Sequence, residues 1–157
     1  MVVLPLPAAG TASAILALSK AAWKLGISLS KLDQDSKIID NTVKDLVGEV
    51  KSLSNECDLV YVELEEVIGK SEIESPPAYD VDGKMSLRLV SQVEEANKTM
   101  QELEMFIESV RMEESYVIGQ VQYWLKLDQS RDQIASIRTK VCRHTDSFHA
   151  SLLLINA

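Results

Sequence analysis

The sequence predicts an all-α fold, an antiparallel bundle of four to five helices. Three observations carry this. Apolar residues recur at alternating steps of three and four over most of the chain, which is one face of a helix. No alternating strand pattern of any length occurs. Glycine (6) and proline (4) are scarce among the 157 residues, too few for the many turns of an all-β fold. The length fits one domain over 1–157 and buries enough surface to fold without disulfides or a metal.

The first helix is expected over 8–31. Ile15, Leu18, Ala22, Leu25, Leu29 and Leu32 form one apolar line. Leu16, Trp23 and Ile27 form a second line about 100° round from it, so the apolar arc is unusually wide. A second line of this kind is either core, if the helix lies centrally, or a surface for a partner or lipid. As a membrane span the segment is poor, because Lys20 and Lys24 interrupt it and Pro5, Pro7 and Gly10 precede it. As a signal peptide it lacks a basic leader. Asp33 or Ser36 could cap the next helix.

The second helix, expected over 34–69, carries the clearest pattern. Ile39, Val43, Leu46, Val50, Leu53, Cys57, Val60, Leu64 and Val67 step by four and three without a miss, as in a bundle or coiled coil. Lys44, Asp45, Glu49, Lys51, Glu56, Asp58, Glu63 and Glu65 lie between them as a solvated side. Such a helix would be about 54 Å long, with Gly69 as a stop. Residues 70–84 hold Pro76 and Pro77, which cannot sit inside a helix, and form the expected mobile loop.

The third helix, over 85–113, shows Leu89, Val93, Ala96, Met100, Leu103, Ile107 and Val110. In 116–155, Val117, Val121, Trp124 and Leu127 form one face, and Ile134, Ile137, Val141, Phe148, Leu152 and Ile155 another. Asp128, Gln129 and Ser130 are a kink or turn between them, so this stretch reads as one helix or two.

Charge and missing motifs narrow the function. Sixteen bases against twenty-four acids give a net charge of −8, which disfavours binding a phosphate backbone and so nucleic acid. Residues 1–32 hold Lys20, Lys24 and Lys31 and no acid, whereas 33–83 hold four bases and fourteen acids. The basic, apolar start could meet an anionic membrane, or simply pair with acidic neighbours. No glycine-rich phosphate loop, metal-binding helix motif or paired-cysteine motif occurs. His144 and His149 are five apart, about 140° round a helix, and cannot share a metal on one face. The expectation is therefore no enzyme, no cofactor and no metal. Cys57, on the apolar stripe, reads as a reduced buried thiol rather than part of a disulfide with Cys142.

The order of elements is a short apolar helix, AAGTASAILALSKAAWKLGISL at 8–29, a long helix at 37–67, a proline-bearing loop and a third helix. The closing segment, YWLKLDQSRDQIASIRTKVCRHTDSFHASLLLI, covers 123–155. This pattern resembles the HeLo-like N-terminal domains of fungal STAND proteins, the fungal NOD-like receptors. Trp124 with Lys126, then Ile137, Arg138, His144, Ser147 and Leu152, match the loose pattern of that family's last helix. The resemblance spans nearly the whole chain but rests on spacing, not on an invariant signature. It implies a cytoplasmic domain excised from a longer receptor, with a nucleotide-hydrolysing domain and a repeat sensor downstream. It also implies self-association and recruitment to the plasma membrane in programmed cell death, with the first helix released to lipid. The expected contact residues are Leu16, Lys20, Trp23, Lys24, Ile27 and Lys31. No amyloid motif is visible at the C-terminus, so a prion-like trigger is not implied. The alternative is a structural or adaptor bundle that dimerises or docks a partner helix, without membrane activity.

Overall fold

The computed structural model describes residues 8–35, 41–71, 84–115 and 131–156, and everything below concerns these. They form four helices and no strand: α1 (Ala8–Asp35), α2 (Asn41–Ser71), α3 (Lys84–Ser115) and α4 (Arg131–Ile155). The all-α bundle read from the apolar spacing is what the chain adopts.

On each described helix the main three-four line becomes a core line. Ile15, Leu18, Ala22 and Leu29 of α1 are buried, and Leu25 is half-buried. The α2 stripe is buried from Val43 to Leu64, with Val67 packed at its edge. All seven α3 stripe residues are buried, joined by Phe106 and Thr99. Ile134, Ile137, Val141, Phe148, Leu152 and Ile155 of α4 complete the core. Every helix thus turns its three-four line to a common centre, the only arrangement that removes all four lines from water.

Pairings across the seams fix the topology. Helix α1 packs on α2 and α3, and α4 packs on α2 and α3. Ser19 meets Ser54 while Gly26 meets Val50 and Lys51, so α1 and α2 are antiparallel. Gln92 meets Ser147 while Glu102 meets Lys140, so α3 and α4 are antiparallel too. Asp45 faces Arg138 and Glu56 faces His149, so α2 and α4 run parallel. It follows that α1 and α3 also run the same way. The expected antiparallel order therefore holds within the pairs α1/α2 and α3/α4, and the two pairs join through parallel seams.

Several boundaries differ from the sequence reading. Helix α1 continues four residues past 31, which puts Asp33 inside it rather than at a cap for α2. Helix α2 is described from Asn41, seven residues later than expected, and it runs through Gly69 to Ser71. Glycine in a last helical turn costs only about 1 kcal/mol, so it does not by itself stop a helix whose stripe is anchored. Helix α3 extends the expected 85–113 by one residue at its start and two at its end. Ile39, Ser36, Trp124, the break at 128–130 and the interior of the loop 70–84 lie outside the described residues.

Candidate functional site

Two surface regions concentrate side chains that packing alone does not explain. The first is the outer face of α1 and α2. At about 100° per residue, Leu16, Lys20, Trp23, Lys24, Ile27 and Lys31 all fall on one outward arc of α1. Trp23 is 48% and Ile27 40% exposed, while Leu16 is half-buried. The three lysines are exposed, so the structure gathers all six expected contact residues on one face. The second apolar line is therefore no central core line. A central position would have covered it, but α1 sits at a corner between α2 and α3.

Helix α2 adds to this face. The Lys51 ammonium lies 5.8 Å from the centroid of the Trp23 ring, within range of a cation–π attraction. Its stem crosses α1 at Gly26, where a Cβ would stand 3.4 Å from Lys51 Cγ. The absence of a side chain there lets the stem lie close. Lys44, seven residues before Lys51, falls on the same line of α2 and is exposed. Sequence reasoning placed both lysines on a general solvated side. The pattern of α2 alone could not reveal which neighbour they flank. None of Lys20, Lys24, Lys31, Lys44 and Lys51 forms an ion pair with a described residue.

Just inside this face, a polar clasp ties α1 to α2. Ser54 Oγ donates to the Ser19 carbonyl at 3.0 Å. The Ser19 hydroxyl lies 3.2 Å from the Ser54 carbonyl and makes a shorter bond to the Asp58 carboxylate. Both serines are buried, so the clasp satisfies groups that would otherwise be costly to remove from water.

The second region is an open polar groove of about 300 Å³ between α3 and α4. Ser91, Gln92, Glu95 and Thr99 line one wall, and Lys140, Arg143, His144 and Ser147 the other. His144 Nε2 lies 2.7 Å from Thr99 Oγ1, whose hydroxyl also reaches the Glu95 carbonyl at 3.3 Å. Burial pushes the His144 imidazole below its ordinary pKa; the Glu95 carboxylate pulls it up, and Arg143 and Lys140 push it further down. Gln92 donates to the Ser147 carbonyl and accepts from the buried Ser151. Lys140 is held by Glu102 at 2.9 Å. The polar groups of this groove are thus largely engaged with one another and serve to join α3 to α4. Sequence reading found no concave polar site, because the two walls come from segments about forty-five residues apart.

No group of three or more potential metal ligands occurs among the described residues. Cys57 is buried in the core and its thiol is pushed up to about 12, first by burial and then by Asp58 and Glu56. A thiol so hard to ionise is not a nucleophile.

By length and composition, 10–31 within α1 is apolar enough to cross a membrane, as a core helix of a soluble protein also can be. The chain matches no family model, no curated protein and no solved structure.

Proposed function

We propose that this chain is the N-terminal signalling and effector bundle of a fungal NOD-like receptor, similar to the HeLo-like domains. It acts without catalysis. Copies cluster in the cytoplasm when the nucleotide-hydrolysing and repeat domains of the parent protein are activated. The clustered α1 faces then meet the anionic plasma membrane in cell death or incompatibility.

The observation that supports this reading is the outer arc of α1. Trp23 and Ile27 are exposed there beside three exposed lysines that form no ion pair with a described residue. Apolar side chains amid lysines suit the boundary between headgroups and acyl chains. Each lysine near an anionic surface contributes about 1 kcal/mol, so one copy binds weakly and a cluster binds well. A net charge of −8 gives no support to nucleic-acid binding.

The test is sedimentation with vesicles containing phosphatidylserine, using the chain alone and the chain clustered through an inducible oligomerising fusion. Clustered protein should sediment with anionic vesicles and remain free of neutral ones. Changing Leu16, Trp23 and Ile27 together to serine should abolish the binding while leaving a cooperative melt. Clustered protein that ignores anionic vesicles would refute the membrane reading.

The adaptor reading has its own support. Leu59 and Val62 on α2, Met105 on α3, and Leu153 and Leu154 on α4 are also exposed. Leu59 and Val62, three apart and so neighbours on one face of α2, are the pair a partner helix would dock on. Self-association without lipid binding would favour that reading.

A further inference from the structure

We propose that the folded bundle itself docks on the anionic membrane, with α1 still seated, and that Lys44 and Lys51 of α2 share the headgroup contact with α1. This rests on the membrane reading above and narrows it, because release of α1 is then not required for the first contact.

The contact side chains already point outward. Trp23, Ile27, Lys20, Lys24 and Lys31 are exposed in the packed bundle. Unseating α1 would add Ile15, Leu18, Ala22 and Leu29 to the exposed surface and break the Ser19–Ser54 clasp. Nothing in that list carries a positive charge, so release brings no further attraction to headgroups.

The register of the seam assembles the lysines from both helices. Trp23 meets Lys51, and Gly26 meets Val50 and Lys51. Continued along two antiparallel helices, this pairing sets Lys51 at the height of Lys24 and Lys44 at the height of Lys31, with Ile27 between the two tiers. All five lysines lack ion pairs with described residues, although α2 is rich in acids. Those acids are placed elsewhere. Asp45 and Glu49 face Arg138, and Glu56 faces His149, on the opposite seam with α4. Asp58 does flank α1, but one to two turns further along α2 and bound to Ser19. The docking area is thus the half of the face spanned by 20–31 of α1 and 44–51 of α2. Leu16, level with Asp58, lies at its margin.

A covalent lock separates docking from release. Ser19→Cys and Ser54→Cys, in a Cys142→Ser background, place two thiols where the hydroxyl oxygens stand 3.2 Å apart. Mass spectrometry of peptides verifies the bridge. The clustered chain is then tested oxidised and reduced against phosphatidylserine-containing vesicles, at low and high salt. The oxidised form should bind within about twofold of the reduced one, and both should weaken with salt. In the unlocked chain, Lys44→Gln with Lys51→Gln should weaken binding about twenty-fivefold, at about fivefold per lysine. Binding by the reduced form alone would overturn docking of the folded bundle and leave the membrane reading standing. Unchanged binding after loss of both α2 lysines would also overturn it. No binding by the unmodified clustered chain would overturn both readings.

Discussion

Ser54 of α2 donates its hydroxyl to the main-chain carbonyl of Ser19 in α1, at 3.0 Å and with both side chains buried. The two residues are thirty-five apart in sequence, so the bond is tertiary and reports on the α1/α2 seam alone. Small side chains here let the helices approach closely enough for hydroxyl-to-backbone bonding.

Loss of either hydroxyl should therefore cost about 1 kcal/mol, the usual net worth of such a bond. Ser19→Ala also deprives Asp58 of its partner, but that carboxylate is exposed and turns to water. Because the two hydroxyls share one network, Ser19→Ala with Ser54→Ala should cost less than the sum of the single changes. Urea unfolding of the four proteins measures this. Strict additivity would mean that the serines act independently.

Leu53 and Leu59 test the core on a single helix. Leu53 is wholly buried, and Leu59 is 52% exposed. Leu53→Ala should lose about 2–5 kcal/mol, whereas Leu59→Ala should stay within about 0.5 kcal/mol. Denaturant midpoints at constant slope decide it. Similar losses at both sites would show that α2 presents a different face to the core.

The contrast between these leucines shows what a sequence of this kind makes legible. A three-four line states which side of a helix leaves water, and so Leu53, Leu103 and Ile137 were readable as core one helix at a time. It carries no information about which helices become neighbours. That α2 lies parallel to α4, or that Lys51 reaches Trp23, depends on segments far apart in the chain. The outer arc of α1 was readable because apolar residues in excess of one seam must go somewhere. Its extension onto α2 was not, since Lys44 and Lys51 look like any solvated lysines. The groove holding His144 was missed for the same reason. Glycine at 69 misled because a helix end is set by lost packing as much as by propensity.

His144 gives the bundle a pH dependence of known sign. Its folded-state pKa lies below the ordinary 6.5, chiefly through burial. In the window below 6.5 the unfolded chain then binds more protons than the folded one, so stability falls as pH falls. The loss begins near the unfolded value and grows until pH reaches the folded one. His144→Gln keeps a polar partner for Thr99 and removes the titration. Its melting temperature should decline less than the wild type's between neutral and mildly acidic pH. Parallel declines would show that other groups govern the acid response.

The two cysteines should differ sharply toward alkylating reagents. Cys57 is buried with its thiol pushed up to about 12. Cys142 is half-buried, and its thiol is raised mainly by burial, with the Glu49 carboxylate adding to the effect. Iodoacetamide applied to folded protein at mildly alkaline pH should label Cys142 first and Cys57 only on unfolding. Peptide mass mapping against time follows both. Early labelling of Cys57 would mean that the α2 stripe opens locally without global unfolding.

The two apolar lines of α1 should respond oppositely to the same chemistry. Trp23 and Ile27 face outward, so changing both to glutamine removes half-covered surface and the ring beneath Lys51. Glutamine is a good helix former, and the loss should be about 1–2 kcal/mol for the pair. Ile15 and Leu29 have no exposed surface at all. Glutamine there buries amides without partners, at about 1–3 kcal/mol each beyond the lost packing. With a typical domain stability of about 5–15 kcal/mol, the second pair should unfold the bundle or leave it barely folded. The first pair should keep a cooperative melt. Circular dichroism during heating distinguishes them. If both pairs melt alike, α1 lies deeper than a corner position allows, and its outer arc is not free to meet a membrane.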